Sequence, residues 1–452
     1  MTEPLDLRRA ARSIYDATLL AHTDAHLAVH HALDFTDNRL TIIDTEFDLN
    51  SRPRAIYSIA IGKAAGGMAA ALDEILGDAL AGGVVSAPPL RVSLSKRWRV
   101  FAGGHPLPNE ASLEAARAAF ALLRRADAER ALVIFLISGG GSAMIEWPRD
   151  EAITLAELQE ANRALVSCGA GINEVNAVRR AFSSVKGGGL SAHAGRAAQV
   201  SLIISDTNRA EPYNVASGPT FTFPPESLDP TKIVNRYRLA SSLPASILRA
   251  INQPQSNRPA TEQTALRCHH VLLDNERAME GAAKVARALG FTVEIARDVS
   301  EQPVAEGAGV LVSRLFELRS RTWANGGGGQ PVCLISGGEF SCPVRGAGVG
   351  GRNAETILRC AFEIETRAAR FPAEATHFVA LSAGTDGIDG NSPAAGALCD
   401  ETTLERGRAL SLDARNFLET SDAHTFFAAL GDTITTGATG TNVRDLRLLL
   451  AE

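Results

Sequence analysis

The sequence predicts an α/β protein of two Rossmann-like lobes, each with a mainly parallel sheet, and an active-site cleft between the lobes. Three observations lead there. Apolar runs of strand length alternate with helical stretches along most of the chain, the pattern of parallel sheets with crossover helices. Several of those runs stop at glycine turns. The turn after Leu136-Ile137, Ser138-Gly139-Gly140, has an echo in Ser336-Gly337-Gly338. At 452 residues the chain also exceeds one ordinary core.

The opening stretch from Leu5 to about Leu33 has apolar residues at helical intervals and reads as one or two amphipathic helices. Ala55 to Ile61 is the first strand. It runs into Gly62-Lys63 and a helix from Ala64 to Leu76. Strands at Val84-Val85 and Arg99 to Ala102 follow, then a helix from Glu110 to Arg125 with Asn109 as N-cap. Ala131 to Ile137 is apolar without alternation, as a strand covered on both faces should be. Helical segments near Leu155 to Val166 and Asn173 to Ser184 precede a strand at Gln199 to Ile204.

The polar stretch Gln253 to Pro259 reads as a linker. This divides the chain into an amino-terminal lobe over 1–250, whose first helices are left free to pack on the other lobe, a linker over 251–262, and a carboxy-terminal lobe over 263–452. In the second series, strands at His270 to Leu273, Thr292 to Ile295, Val332 to Ile335 and His377 to Leu381 are interleaved with helices over Glu276 to Leu289 and Ala354 to Phe362. Asn325 to Gly329 reads as a loop.

Composition narrows the function. Net charge is −6 and no dense Lys/Arg run occurs, which argues against nucleic acid or an anionic membrane surface as partner. No apolar stretch approaches the ~18 residues of a membrane span. The amino terminus lacks the apolar core of a secretion signal, so a cytoplasmic location is expected. The six cysteines form no C-x-x-C pair and read as reduced thiols.

In an open parallel sheet, ligands gather outside the carboxyl ends of strands. That rule selects the turns at Gly62, Gly139, Asp206, Gly337 and Gly384. Ser138-Gly139-Gly140-Gly141-Ser142 combines flexible backbone with two hydroxyls and suits a phosphate or carboxylate, although no Walker A lysine follows. Lys63 and Arg352 each open a helix, the wrong end for a cation unless an anion lies nearby. Asp206, Asp386 and Asp389 follow strands, where carboxylates hold Mg²⁺ or orient a hydroxyl, or close Asx-turns. The loop carrying Gly437, Thr439 and Asn442 adds donors, and His105 reads as a structural histidine. Gly346 to Gly351 spells G-x-G-x-x-G, but no acidic residue closes the next strand as a dinucleotide site requires.

These stretches resemble the glycerate 2-kinase family that carries the MOFRL module, a family also labelled hydroxypyruvate reductase. The resemblance rests on Gly62-Lys63-Ala64, Gly104-His105-Pro106-Leu107-Pro108, Ile137 to Ala143, Asn173 to Arg179, Lys186-Gly187-Gly188 and Ala216 to Thr220. It continues through Ser336 to Glu339, Gly350 to Asn353, Leu381 to Gly390 and Thr436 to Asn442. The segment from about 333 to 448 is similar to the MOFRL module.

The resemblance implies transfer of the ATP γ-phosphoryl group to the 2-hydroxyl of D-glycerate, with Mg²⁺. It implies Lys63 and Arg352 as catalytic residues, and the needs of phosphoryl transfer add Asp206, at a strand end, as catalytic residue and Mg²⁺ ligand. Substrate and phosphate contacts would come from Ser138, Gly139, Gly140, Gly141, Ser142, Asn176, Lys186, Gly337, Gly338, Glu339, Asp386, Gly437, Thr439 and Asn442. D-glycerate and ATP are the implied partners, and a homodimer is left open.

Two departures stand out: Gly189 replaces an arginine usual in the family, and Thr207 to Glu211 replaces further acidic residues after Asp206, leaving Glu211 as the second carboxylate there. A nicotinamide-dependent hydroxypyruvate reductase and a non-catalytic small-anion binder are the alternative readings.

Overall fold

The computed structural model describes residues 6–51, 54–207, 211–223, 228–253, 265–324, 329–370 and 377–452. Most of the expected linker and of the loop at 325–329 lies outside the described residues. The chain divides into two compact units, Ala25–Leu272 and a second formed by Met1–Asp24 with Leu273–Glu452.

In the unit Ala25–Leu272 a six-stranded sheet has the order Trp98–Ala102, Leu80–Ala87, Ile56–Ile61, Leu132–Ser138, Ala198–Ile204, Arg267–Leu273. The first five strands pair in parallel throughout. Every residue of the three central strands Ile56–Ile61, Leu132–Ser138 and Ala198–Ile204 is buried, which explains their mostly apolar sequence without alternation; the polar Ser58, Ser138, Gln199 and Ser201 are buried with hydrogen-bond partners. The helix Glu110–Ala128 lays Ala115, Ala119, Phe120 and Leu123 against Tyr57, Ile59, Val133 and Phe135. Asn109 is its N-cap, as the sequence predicts, and forms a capping box with Ser112. A separate apolar cluster joins Leu155–Ser167, Ile172–Phe182 and Ala245–Asn252 through Leu158, Val178, Phe182 and Ile247.

A small antiparallel sheet over Leu33–Thr36, Arg39–Ile42 and Thr45–Asp48 is not anticipated by the sequence reading. Its strands are four residues long, too short to show a period. The local signal was Asp37-Asn38, both at positive φ, the turn geometry that matches strand twist in a hairpin.

The opening segment forms the helices Leu7–His22 and Ala25–Ala32. The first packs Ile14 and Tyr15 into the core of the second unit, against Leu446, Leu448 and Leu450. That unit's sheet has the order Thr292–Ile295, Val332–Gly338, Asp445–Ala451, Phe378–Gly384, Gly396–Asp400, Thr433–Ile434. It is mixed. Its first pair is parallel, while Asp445–Ala451 runs antiparallel between Val332–Gly338 and Phe378–Gly384.

The reason lies in Asp445-Leu446-Arg447-Leu448-Leu449-Leu450-Ala451. All seven residues are buried, with Leu446, Leu448 and Leu450 in one core and Leu449 and Ala451 in the other, the period of two expected of a strand between helix layers. The opposite face is covered by Val304–Ala324 and Arg352–Arg370. In this register Asp445 lies between Gly338 and Gly384, the last residues of both neighbouring strands.

No described helix is long and apolar enough to cross a membrane.

Candidate active site

Three adjacent parallel strands of the unit Ala25–Leu272 end together: Ile56–Ile61, Leu132–Ser138 and Ala198–Ile204. Lys63, the turn Gly139–Gly141 and Asp206 follow them, so a cation, a glycine turn and a carboxylate meet at one sheet edge. The approach is close. A Cβ at Gly139 would lie 1.9 Å from Asp206 Oδ2, and one at Gly140 would lie 3.3 Å from Lys63 Cγ and 3.0 Å from His105 Cδ2. Only glycine leaves this space.

Ser138 ties the turns together from beneath. Its buried hydroxyl donates to Ile61 O at 3.2 Å and accepts from the Ala64 N–H at 3.0 Å, while the Lys63 N–H donates to Gly139 O at 2.9 Å. Gly62, at φ +109°, would clash with Ser138 if it carried a Cβ, at 2.4 Å. Ser138 therefore positions Lys63 and its hydroxyl is spent within the turn.

Ser142 begins a chain of side-chain hydrogen bonds. Its hydroxyl meets Ser217 Oγ at 2.9 Å; Ser217 donates to Asn176 Oδ1 at 2.8 Å; Asn176 donates to Asn214 Oδ1 at 3.2 Å. Asn214 donates in turn to Asn173 and to Glu211, at 2.7 and 2.9 Å, and Asn173 donates to the other Glu211 oxygen at 2.9 Å. Both Glu211 oxygens are thus engaged by amides. Ala216 and Ser217 sit in the left-handed region, at φ +51° and +60°, a strain for residues other than glycine.

Lys186 is held in a buried ion pair, and the next residue ties its loop to Ser217, with the Gly187 N–H donating to Ser217 O at 3.1 Å. The Lys186 ammonium donates to Glu146, both side chains are buried, and Glu146 also accepts from Ser183 Oγ and the Trp147 N–H. Burial pushes the lysine pKa down, opposed by the Glu146 charge. Gly189 is buried too, and its N–H donates to Lys186 O at 3.2 Å.

In the second unit, Arg352 opens the helix Arg352–Arg370 and is held by Asp445, Nε to Oδ2 at 2.6 Å and Nη2 to Oδ1 at 3.1 Å, and by Glu339 at 2.8 Å. Burial pulls the guanidinium pKa down, but the charge and hydrogen bonds of Asp445, with Glu339 and Asp389, outweigh it and the net direction is up. Asp389 accepts from the Asn353 and Ala354 N–H groups, both at 2.9 Å, and so caps the helix from another loop. Burial pushes its pKa up to about 6 against those bonds.

Asp386 forms an Asx-turn with the Ile388 N–H at 3.1 Å, and its carboxylate is near that of Asp445 around Gly384. Gly338 N–H is taken by Asn275 Oδ1 at 2.7 Å, and a Cβ at Gly337 would strike that same oxygen at 1.9 Å. The carbonyls of Gly337 and Gly338 accept from the buried Arg447. Thr439 Oγ1 donates to Thr385 O at 2.6 Å and Asn442 accepts from the Arg444 N–H at 3.0 Å. Gly437, at φ +68°, has open space where a Cβ would be.

The glycines of the G-x-G-x-x-G stretch are explained by packing. A Cβ at Gly346 or Gly348 would meet Thr420 or Asp422 at 2.6 and 2.5 Å, and one at Gly351 would meet Asp389 at 2.3 Å. The N–H groups of Gly348, Val349 and Gly350 donate to Thr420, Asp422 and Asn391.

Sequence reasoning missed Asp445, Arg447, Glu146, Asn214 and Ser217. A signal existed for Asp445 and Arg447, two charges in an otherwise apolar strand; none existed for Glu146, whose partner is 40 residues away.

An α/β enzyme built to handle a small anionic substrate is the class these features define: basic residues, glycine turns and carboxylates at strand ends, without a basic surface. Residues 10–252 match the domain of unknown function DUF4147 and residues 332–445 match the MOFRL family. The human glycerate kinase is 34% identical, covering 99% of this chain and 94% of its own length. The D-glycerate 2-kinase of Thermotoga maritima is 32% identical over 86% of this chain and 89% of its own. A protein of Agrobacterium vitis, provisionally named a hydroxypyruvate reductase, is 36% identical over 87% and 98%. The crystal structure of the Thermotoga maritima glycerate kinase superposes with a TM-score of 0.81 at 28% identity, covering 99% of this chain and all of that one. The chain belongs to the glycerate kinase family.

Proposed function

We propose that this enzyme transfers the γ-phosphoryl group of ATP to the 2-hydroxyl of D-glycerate, giving 2-phosphoglycerate and ADP. The observation that carries the reading is the meeting of Lys63, the Gly139–Gly141 turn and Asp206 at the ends of three adjacent parallel strands. Phosphoryl transfer asks for positioning and for neutralised charge more than for covalent chemistry. Lys63 supplies a cation at that edge, and the side-chain-free turn lets the backbone come close to phosphate oxygens. Asp206 accepts the proton of the attacking hydroxyl or orients it.

Asp206 offers hard carboxylate oxygens, the donors Mg²⁺ takes together with substrate phosphates. The ion would screen charge on those phosphates. The Ser142–Ser217–Asn176–Asn214 chain presents hydroxyl and amide groups beside the turn and suits the hydroxyls and carboxylate of a small hydroxy acid. Arg352 is assigned to anion binding by its place at a helix start, with Asp445 setting the direction of its guanidinium.

The test is ADP release from ATP with and without D-glycerate, with the product identified by phosphorus NMR. ADP formed only with D-glycerate, and phosphate on the 2-hydroxyl, is expected. NADH oxidation coupled to hydroxypyruvate, without ADP formation, would replace the proposal with the reductase reading.

A further inference from the structure

We infer that His26, His30 and Glu74 form a binding site for a first-row transition-metal dication, of which zinc is the representative. His26 and His30 stand one turn apart on the helix Ala25–Ala32, so both imidazoles leave the same face. Glu74 projects from the helix Ala65–Leu76. His26 Nε2 and His30 Nε2 lie 2.9 and 3.0 Å from the same oxygen, Glu74 Oε2, and the three ligand atoms all fall within 4.8 Å of one another. The ring centroids are 4.6 Å apart.

This is the shape of an open zinc site. Bonds of about 2.0–2.1 Å in tetrahedral geometry place ligand atoms roughly 3.3 Å apart, so atoms 2.9 and 3.0 Å from Glu74 Oε2 and all within 4.8 Å of one another need only side-chain adjustment to take an ion between them. Two histidines at i and i+4 with one carboxylate is a donor set that zinc uses with a water in the fourth position. All three side chains are partly exposed, which leaves that position open to solvent. Imidazole nitrogen selects zinc, nickel or cobalt over magnesium, so this site is chemically separate from any Mg²⁺ held by Asp206. A bound ion would tie the helix Ala25–Ala32 to the helix that begins just after Lys63.

The experiment is calorimetric titration of ZnCl₂ into chelator-stripped full-length protein, with His26→Ala, His30→Ala and Glu74→Gln compared with a control at the exposed neighbour, His31→Ala. Saturable binding of one zinc per chain is expected in wild type and in the control. Each ligand variant should bind at least about tenfold more weakly while keeping the wild-type circular dichroism. Zinc-edge X-ray absorption on the wild-type protein reads the ligands without relying on any variant, and should show two imidazoles with oxygen. No saturable binding below millimolar zinc, equal binding by all the variants, or sulfur in the coordination shell would overturn the proposal.

Discussion

Arg352 and Asp445 are joined by two bonds, at 2.6 and 3.1 Å, although 93 residues separate them in sequence. The aspartate is buried and the arginine sits at the positive end of a helix dipole, so each charge offsets a cost carried by the other. Removing the arginine should therefore damage the fold as well as catalysis. We expect Arg352→Ala to lower unfolding free energy by about 2–3 kcal/mol, under the range for fully buried pairs because a third of its side chain meets solvent. Urea unfolding of both single variants and the double with Asp445→Ala would show the coupling; additive losses would dismiss it.

Lys63 should behave differently. With its backbone fixed by Gly139 and Ser138, its side chain is assigned to phosphoryl oxygens, so Lys63→Ala is expected to lose at least ~100-fold in kcat/KM, ~2.7 kcal/mol. Its unfolding free energy should stay within about 0.5 kcal/mol of wild type. Steady-state kinetics beside urea unfolding checks both parts.

Gly139→Ala tests the close approach of turn and carboxylate. The added methyl needs the space of Asp206 Oδ2, 1.9 Å away, and should cost about 1–3 kcal/mol and most of the activity. The double variant with Asp206→Ala should regain stability but not turnover. A fully active Gly139→Ala enzyme would show that Asp206 is free to leave that position.

For Lys186 the burial of both partners predicts a loss of stability of about 3–5 kcal/mol in Lys186→Met, since Glu146 would remain charged and unpaired. Lys186→Met with Glu146→Gln should recover much of it. If the double variant is stable yet its KM for D-glycerate rises steeply, Lys186 contributes to binding beyond its pairing.

A pH dependence follows from Asp389. Its folded pKa of about 6 lies above the ordinary 3.8, so between those values the folded chain holds a proton that the unfolded chain has released. Stability from this group is full below pH 4, falls as pH rises to about 6, and is flat above. The two-unit gap corresponds to at most about 3 kcal/mol. Urea midpoints from pH 4 to 7 should fall less steeply in Asp389→Asn than in wild type.

The parallel sheet was legible because its central strands are mostly apolar with no alternation, and stop at Gly62, Gly139 or Ser205-Asp206, a local pattern that burial on both faces imposes. The helix start at Asn109 was legible for the same reason: a cap acts within one turn. The short hairpins of residues 33–48 and the antiparallel terminal strand were not. The former are too brief for periodicity to register, and strand direction depends on where a segment inserts rather than on its composition.

At the candidate site, the sequence by itself determined that Lys63, Gly139–Gly141 and Asp206 lie at strand ends, since each directly follows an apolar run. Only the tertiary structure decided that these three strands are neighbours. It also decided that the Ser138 hydroxyl faces inward, that Lys186 is matched by Glu146, and that Arg352 is matched by Asp445. The reason is physical: a charge can be read from sequence, but its partner is set by which distant segments pack against it, and burial of an ion is tolerated only where that packing delivers the opposite charge.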